Sequence, residues 1–119
     1  MNSTPTDDDH ARTAELLARL SATIEARRHA DPADSYVARL FAGGMALIAK
    51  KVGEEAVETV LAASSEEPQA VIRESADLMF HLMVLWSHCG VGFADIAAEL
   101  ARREGLSGLE EKRQRPAAS

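Results

Sequence analysis

The sequence predicts an all-α chain, an antiparallel helical bundle completed by dimerisation. Three observations carry that prediction. Apolar residues recur at spacings of three and four, and no run of alternating β-branched residues bounded by turn signals is present. Aromatic residues make up only 4% of the chain, so the core must be aliphatic and alanine-rich, which suits helices. The 119 residues are enough for one small domain, read here as 7–104 with flexible termini at 1–6 and 105–119. Helices of about 20 residues are about 30 Å long. One layer of them leaves apolar faces uncovered in so short a chain, which predicts a homodimer.

The elements follow in order. Leu16, Leu17, Leu20 and Ile24 recur at helical spacing over about 7–28, and Asp7, Asp8 and Asp9 favour the helix start. "HADPADS" (29–35) breaks this helix, and Asp34 or Ser35 caps a short second one through about Ala42. Gly43-Gly44 makes a hinge before a long helix over about 45–63. "SSEEP" (64–68) is a turn, with Ser65 as N-cap of the next helix and Pro68 in its first turn. That helix runs to about Cys89 and ends at Gly90, a C′ glycine. "GVGF" leads to a last helix over about 93–103, and the rest lacks apolar periodicity.

Bulk properties narrow the function. The net charge of −6 argues against a nucleic-acid binder. It leaves a phosphate substrate open, because a bound cation reverses the local sign. The single cysteine, Cys89, excludes an intrachain disulfide and a cysteine-based metal site. The first dozen residues hold no apolar run, and "LMFHLMVLW" is about half the length needed to cross a bilayer. The expectation is a cytoplasmic chain with no membrane partner.

The informative stretch is "KKVGEEAVETV" (50–60, opening on the Lys50-Lys51 pair). Glu55 and Glu58 are three apart and share a helix face. "ESAD" repeats the arrangement with Glu74 and Asp77. Both pairs lie beside the apolar seam. The midpoint of Glu58 and Glu74 is 66, and so is that of Glu55 and Asp77; residue 66 lies in the turn. An antiparallel hairpin therefore brings four carboxylates to two adjacent levels. Two carboxylates about 5 Å apart repel by roughly 3 kcal/mol at an effective dielectric near 20. Such a group takes up protons or binds a cation, and an all-oxygen set selects a hard ion, Mg²⁺ first and Mn²⁺ as a substitute. A single ExxE is usually a solvated face. Two of them centred on one turn are what favour a site.

"DSYVARL" (34–40), "IAKKVGEEAVE" (48–58) and "ESADLMFHLMVL" (74–85) resemble the phosphoribosyl-ATP pyrophosphatase family of histidine biosynthesis. The wider group is the MazG-like all-α nucleoside triphosphate pyrophosphohydrolases, whose EExxE…ExxD signature is matched by Glu54, Glu55, Glu58, Glu74 and Asp77. The resemblance implies a MazG-like bundle. It implies Mg²⁺ ligation by Glu55, Glu58, Glu74 and Asp77, with Glu54 as an auxiliary acid. The implied reaction is attack of water between the α- and β-phosphates of phosphoribosyl-ATP, giving phosphoribosyl-AMP and pyrophosphate. A separate cyclohydrolase would take the next step. Leu47 and Phe80 depart from the family pattern, which commonly has lysine and tyrosine there, as does the unusual "GGMAL" segment.

The remaining candidates each have a plain reading beside the functional one. Lys50 and Lys51 meet phosphates as point charges, with Lys51 favoured for its place near the Glu55 stripe, or they make surface ion pairs. Glu54 orients the attacking water or faces solvent. Ser35, Tyr36 and Arg39 open a helix, where anions bind, or Ser35 only caps and Tyr36 only packs. His81 is expected to be structural and bonded to a carboxylate. His88 and Cys89 are read as structural, and Trp86, Met79 and Met83 as core or interface. Two other functions remain: a house-cleaning nucleoside triphosphate pyrophosphatase, and a non-catalytic helical dimerisation module.

Overall fold

A computed structural model describes residues 4–104 and 112–115. Its helices are α1 (Asp7–Arg27), α2 (Tyr36–Ser64), α3 (Pro68–His88) and α4 (Phe93–Arg103), and the described residues contain no strand. The all-α MazG-like class is therefore as expected.

Polar residues set the ends of α1. The Asp9 N–H donates to Thr6 Oγ1 at 3.1 Å, and the Thr6 N–H donates to the Asp9 carboxylate at 3.0 Å. This reciprocal pair satisfies two donors that a helix start leaves open. Thr6 lies within the terminus read as flexible. The remainder of that reading at 1–3, 105–111 and 116–119 lies outside the described residues, while 112–114 are helical and Arg102 reaches Gln114 at 3.4 Å.

α2 begins at Ser35, whose buried hydroxyl accepts from the Ala38 N–H at 3.1 Å. It breaks at Gly44, where φ is 73° and ψ −172°, a conformation that a side chain would strain. Gly43 is needed for a different reason. A Cβ there would lie 2.4 Å from Leu47 Cδ2 and 2.7 Å from Leu47 Cβ. The break reverses the chain. Tyr36 meets His81 and Phe41 stacks on His88, so the first part of α2 runs in the same sense as α3. Beyond Gly44 the order inverts, and Thr59 meets Glu74.

The α2–α3 turn differs from expectation in one respect. Ser65 does not cap α3; it closes α2, donating to the Ala62 carbonyl at 2.6 Å. The N-cap of α3 is Glu67, which makes no side-chain cap bond. Pro68 opens α3 and needs no N–H partner, so a capping hydroxyl is dispensable there. Glu66 between them adopts a positive φ of 61°. At the far end of α3 the Val91 N–H reaches the Trp86 carbonyl at 2.8 Å and Gly90 takes φ 75°, a Schellman closure that gives Gly90 its expected role.

Ile24, Val37, Leu40, Ile48, Met83 and Val84 form the core, and each such side chain contributes about 1.5–3 kcal/mol on burial. Arg28 ties the end of α1 to this core, donating to the Ser87 carbonyl at 3.1 Å and lying 4.8 Å over the Phe41 ring. Trp86 packs on the core and meets Phe93 of α4 edge-on at 5.8 Å. Many large apolar side chains stay outside. Val57 is 59% exposed, Val60 65%, Leu61 63% and Ile72 58%. The radius of gyration is 16.7 Å, against about 13 Å for a compact chain of this length. Among the described residues no single helix is long and apolar enough to cross a membrane.

Candidate active site

The α2–α3 hairpin gathers three of the four carboxylates that the symmetry about residue 66 predicts, Glu55, Glu58 and Glu74. The turn at 65–67 joins Ser64 to Pro68. Thr59 Oγ1 lies 2.8 Å from the Glu55 carbonyl on its own helix and 3.2 Å from the Glu74 carbonyl across the hairpin. Its one proton serves either acceptor and holds the two helices in register at the level of the acids.

Glu55, Glu58 and Glu74 each offer one carboxylate oxygen, and the three oxygens lie within 4.8 Å of one another. Asp77 is exposed and outside this triplet, but its charge is felt by Glu55. Glu55 is half-buried, and its Oε2 is buried with no hydrogen-bond partner among the described residues. Its carboxyl is pushed up to about 7. Burial is the first cause; then come the hydrogen bond and charge of Glu58, and the charges of Asp77 and Glu74. Acids crowded in this way hold a proton or a cation. Oxygen donors with an orphaned carboxylate oxygen among them fit a hard divalent ion.

Glu54 points elsewhere. Its carboxylate is 3.4 Å from Lys51 Nζ and 4.0 Å from Lys50 Nζ, and it is not one of the three clustered acids. Lys51 is the less exposed lysine of the two. Its ammonium is raised above the ordinary lysine range, chiefly by the nearby Tyr36 and then by the hydrogen bond and charge of Glu54, with Glu55 adding a little.

Of the three candidates at that start, Ser35 is buried and spends its hydroxyl on capping. Arg39 is exposed, with its guanidinium 5.8 Å over the Tyr36 ring. The Tyr36 hydroxyl lies 2.7 Å from His81 Nε2, and its ring stacks beside Phe80 at 6.2 Å. His81 is buried, but its partners are not the expected carboxylate. Nδ1 meets the main-chain carbonyl of Asp77 at 2.7 Å, and Nε2 meets Tyr36. Four residues apart on one helix, the ring folds back onto the carbonyl of its own preceding turn. Sequence reasoning missed this link, and also Thr59. For Thr59 a signal existed in its place on the Glu55 stripe; for Tyr36 and His81, 45 residues apart, none did.

A cavity of about 350 Å³ lined by Arg28, His29, Phe41 and His88 lies at the other end of α3. His88 is 14 residues from Glu74, or about 21 Å along the helix, so this cavity is separate from the acids.

The family model for phosphoribosyl-ATP pyrophosphohydrolase matches residues 17–104, which include every site residue above. Proteins named phosphoribosyl-ATP pyrophosphatase share the same span. One from Rhizorhabdus wittichii is 62% identical over 100 residues, covering 84% of this chain and 94% of the relative. One from Novosphingobium aromaticivorans is 58% identical over 101 residues, covering 85% and 94%. One from Paramagnetospirillum magneticum is 51% identical over 105 residues, covering 88% and 96%. With the acids, the helical hairpin and the match running through the same residues, the chain belongs to the phosphoribosyl-ATP pyrophosphohydrolase family of hydrolases.

Proposed function

We propose that this protein hydrolyses phosphoribosyl-ATP to phosphoribosyl-AMP and pyrophosphate, by cleavage between the α- and β-phosphates, in histidine biosynthesis in the cytoplasm. The observation that carries the reading is the crowding of Glu55, Glu58 and Glu74, whose carboxylate oxygens lie within 4.8 Å of one another. A purely structural hairpin gains nothing from acids that repel one another across its contact.

Glu55, Glu58, Glu74 and Asp77 are the residues that would hold Mg²⁺, with Mn²⁺ as a substitute. A divalent ion bound there cancels triphosphate charge, polarises the scissile phosphorus and lowers the pKa of a bound water. The chain's own groups do the rest. The orphaned Glu55 oxygen is the ligand atom with no competing partner. Lys51 and Lys50 offset phosphate charge as point charges, and Arg39 extends the cationic side outward. The start of α2 at Ser35 offers backbone N–H groups to an anion. Glu54, next to Glu55 and held by the two lysines, orients the attacking water.

A second copy of the chain would cover Val57, Val60, Leu61, Ile72 and Met79 on the outer face of the hairpin. That is the homodimer, and the extended shape of the single chain supports it. Pyrophosphate release from phosphoribosyl-ATP, with and without Mg²⁺ and beside a panel of nucleoside triphosphates, tests the whole reading. The expected result is Mg²⁺-dependent release with preference for phosphoribosyl-ATP. Preference for the panel would sink it in favour of a house-cleaning enzyme.

A further inference from the structure

The Tyr36–His81 contact contains more information than its role in packing. A main-chain carbonyl can only accept, so the Nδ1 that lies 2.7 Å from the Asp77 carbonyl must carry a proton. In a neutral imidazole the other nitrogen is then bare. Tyr36 Oη lies 2.7 Å from that bare Nε2, so the phenol must be the donor. The reverse direction needs an imidazolium. Both hydrogen-bond partners of the ring are neutral, and the residue is only 6% exposed.

We propose that His81 is a positioning residue: as the neutral Nδ1–H tautomer it takes the only hydroxyl proton of Tyr36, so that Tyr36 enters the site as a hydrogen-bond acceptor and not as a donor to phosphate. The ring itself is fixed from two sides, by Phe80 at 6.2 Å and His81 at 5.7 Å. The phenol oxygen is then open only to hydrogen-bond donors, and His81 acts on substrate only through Tyr36.

This inference rests on the phosphohydrolase reading for its kinetic arm but not for its spectroscopic one. Long-range ¹H–¹⁵N spectra of the wild-type protein, with His81 assigned by its loss in His81→Asn, should show Nδ1 protonated and Nε2 bare at neutral pH. An Nε2–H tautomer or an imidazolium would overturn the proposal. In kinetics, Tyr36→Phe and His81→Asn should each raise KM on the order of tenfold with a smaller change in kcat, as orienting partners do. Asn keeps a donor for the Asp77 carbonyl and removes the acceptor for Tyr36. The double variant should cost no more than the worse single one. His81→Gln, which returns an amide oxygen near the Nε2 position, should recover most of the loss. Additive losses, or a Tyr36→Phe protein with wild-type KM, would also overturn it. A wild-type protein inactive on phosphoribosyl-ATP would instead sink the functional reading and leave the tautomer to decide this one.

Discussion

Glu55 and Glu99 occupy opposite extremes of carboxylate behaviour in one small chain. Glu55, on α2, is crowded by other acids and pushed up to about 7. Glu99, on α4, is gripped by Arg102 at 2.7 Å and Arg103 at 3.0 Å, and is pulled down to about 2. One acid has cations on its own helix, a turn away, and is complete. The other is surrounded by more of its own charge and is incomplete. The contrast separates an acid whose charge its own helix balances from one whose charge its neighbours oppose.

The contrast is broken most directly by removing charge. Glu55→Gln should lower kcat/KM for phosphoribosyl-ATP on the order of 10²–10³-fold, with the helical circular-dichroism spectrum intact. The same loss is expected of Asp77→Asn, whereas Glu99→Gln should leave the rate unchanged. Equal activity in all three would erase the distinction. The next effect is on stability. Mg²⁺ at about 100 times its Kd adds about 2.7 kcal/mol to a protein that binds it only when folded, which is a rise of about 10 °C in Tm for a chain of this size. Differential scanning fluorimetry should show that rise in the wild type and in Glu99→Gln, and lose it in Glu55→Gln.

Acidity sharpens the comparison further, because the two groups act in opposite directions. Glu55 holds its proton more tightly when folded than its ordinary value of 4.5 would imply. In metal-free protein its contribution is therefore full below about 4.5 and is lost as pH rises through about 7. Glu99 is depressed, so its contribution is present above 4.5 and is lost as pH falls toward about 2. Melting temperature against pH should flatten on its upper limb in Glu55→Gln and on its lower limb in Glu99→Gln. The smallest effect is that of salt. Screening should weaken the exposed Glu99–arginine pairs, so the difference between wild type and Glu99→Gln should shrink as ionic strength rises.

Much of this arrangement was legible in the sequence, and particular residues show why. Gly44, Pro68 and Gly90 punctuate helices through backbone constraints that no tertiary contact overrides. The meeting of Glu58 with Glu74 follows from equal counting on either side of a turn. Ser65 was misread because a hydroxyl in a short turn can serve the helix behind it as well as the one ahead, and Pro68 removed the need ahead. The partners of His81 were hidden because the reversal at Gly44, which carries Tyr36 back to α3, leaves no trace in helical spacing. Val57, Val60 and Leu61 carry the apolar pattern of a core yet lie open in the single chain. Periodicity reports that a face wants cover, not which chain supplies it.

The Thr59 bridge between the Glu55 and Glu74 carbonyls has a consequence for how the gene can vary in length. One residue inserted between Thr59 and Glu74 and absorbed by either helix would turn its acids about 100° and slide them about 1.5 Å. The triplet would then be scattered without a single acid having been replaced. Length is therefore a specified quantity between Glu55 and Asp77, as strict as residue identity, and insertions that preserve the site belong outside that interval.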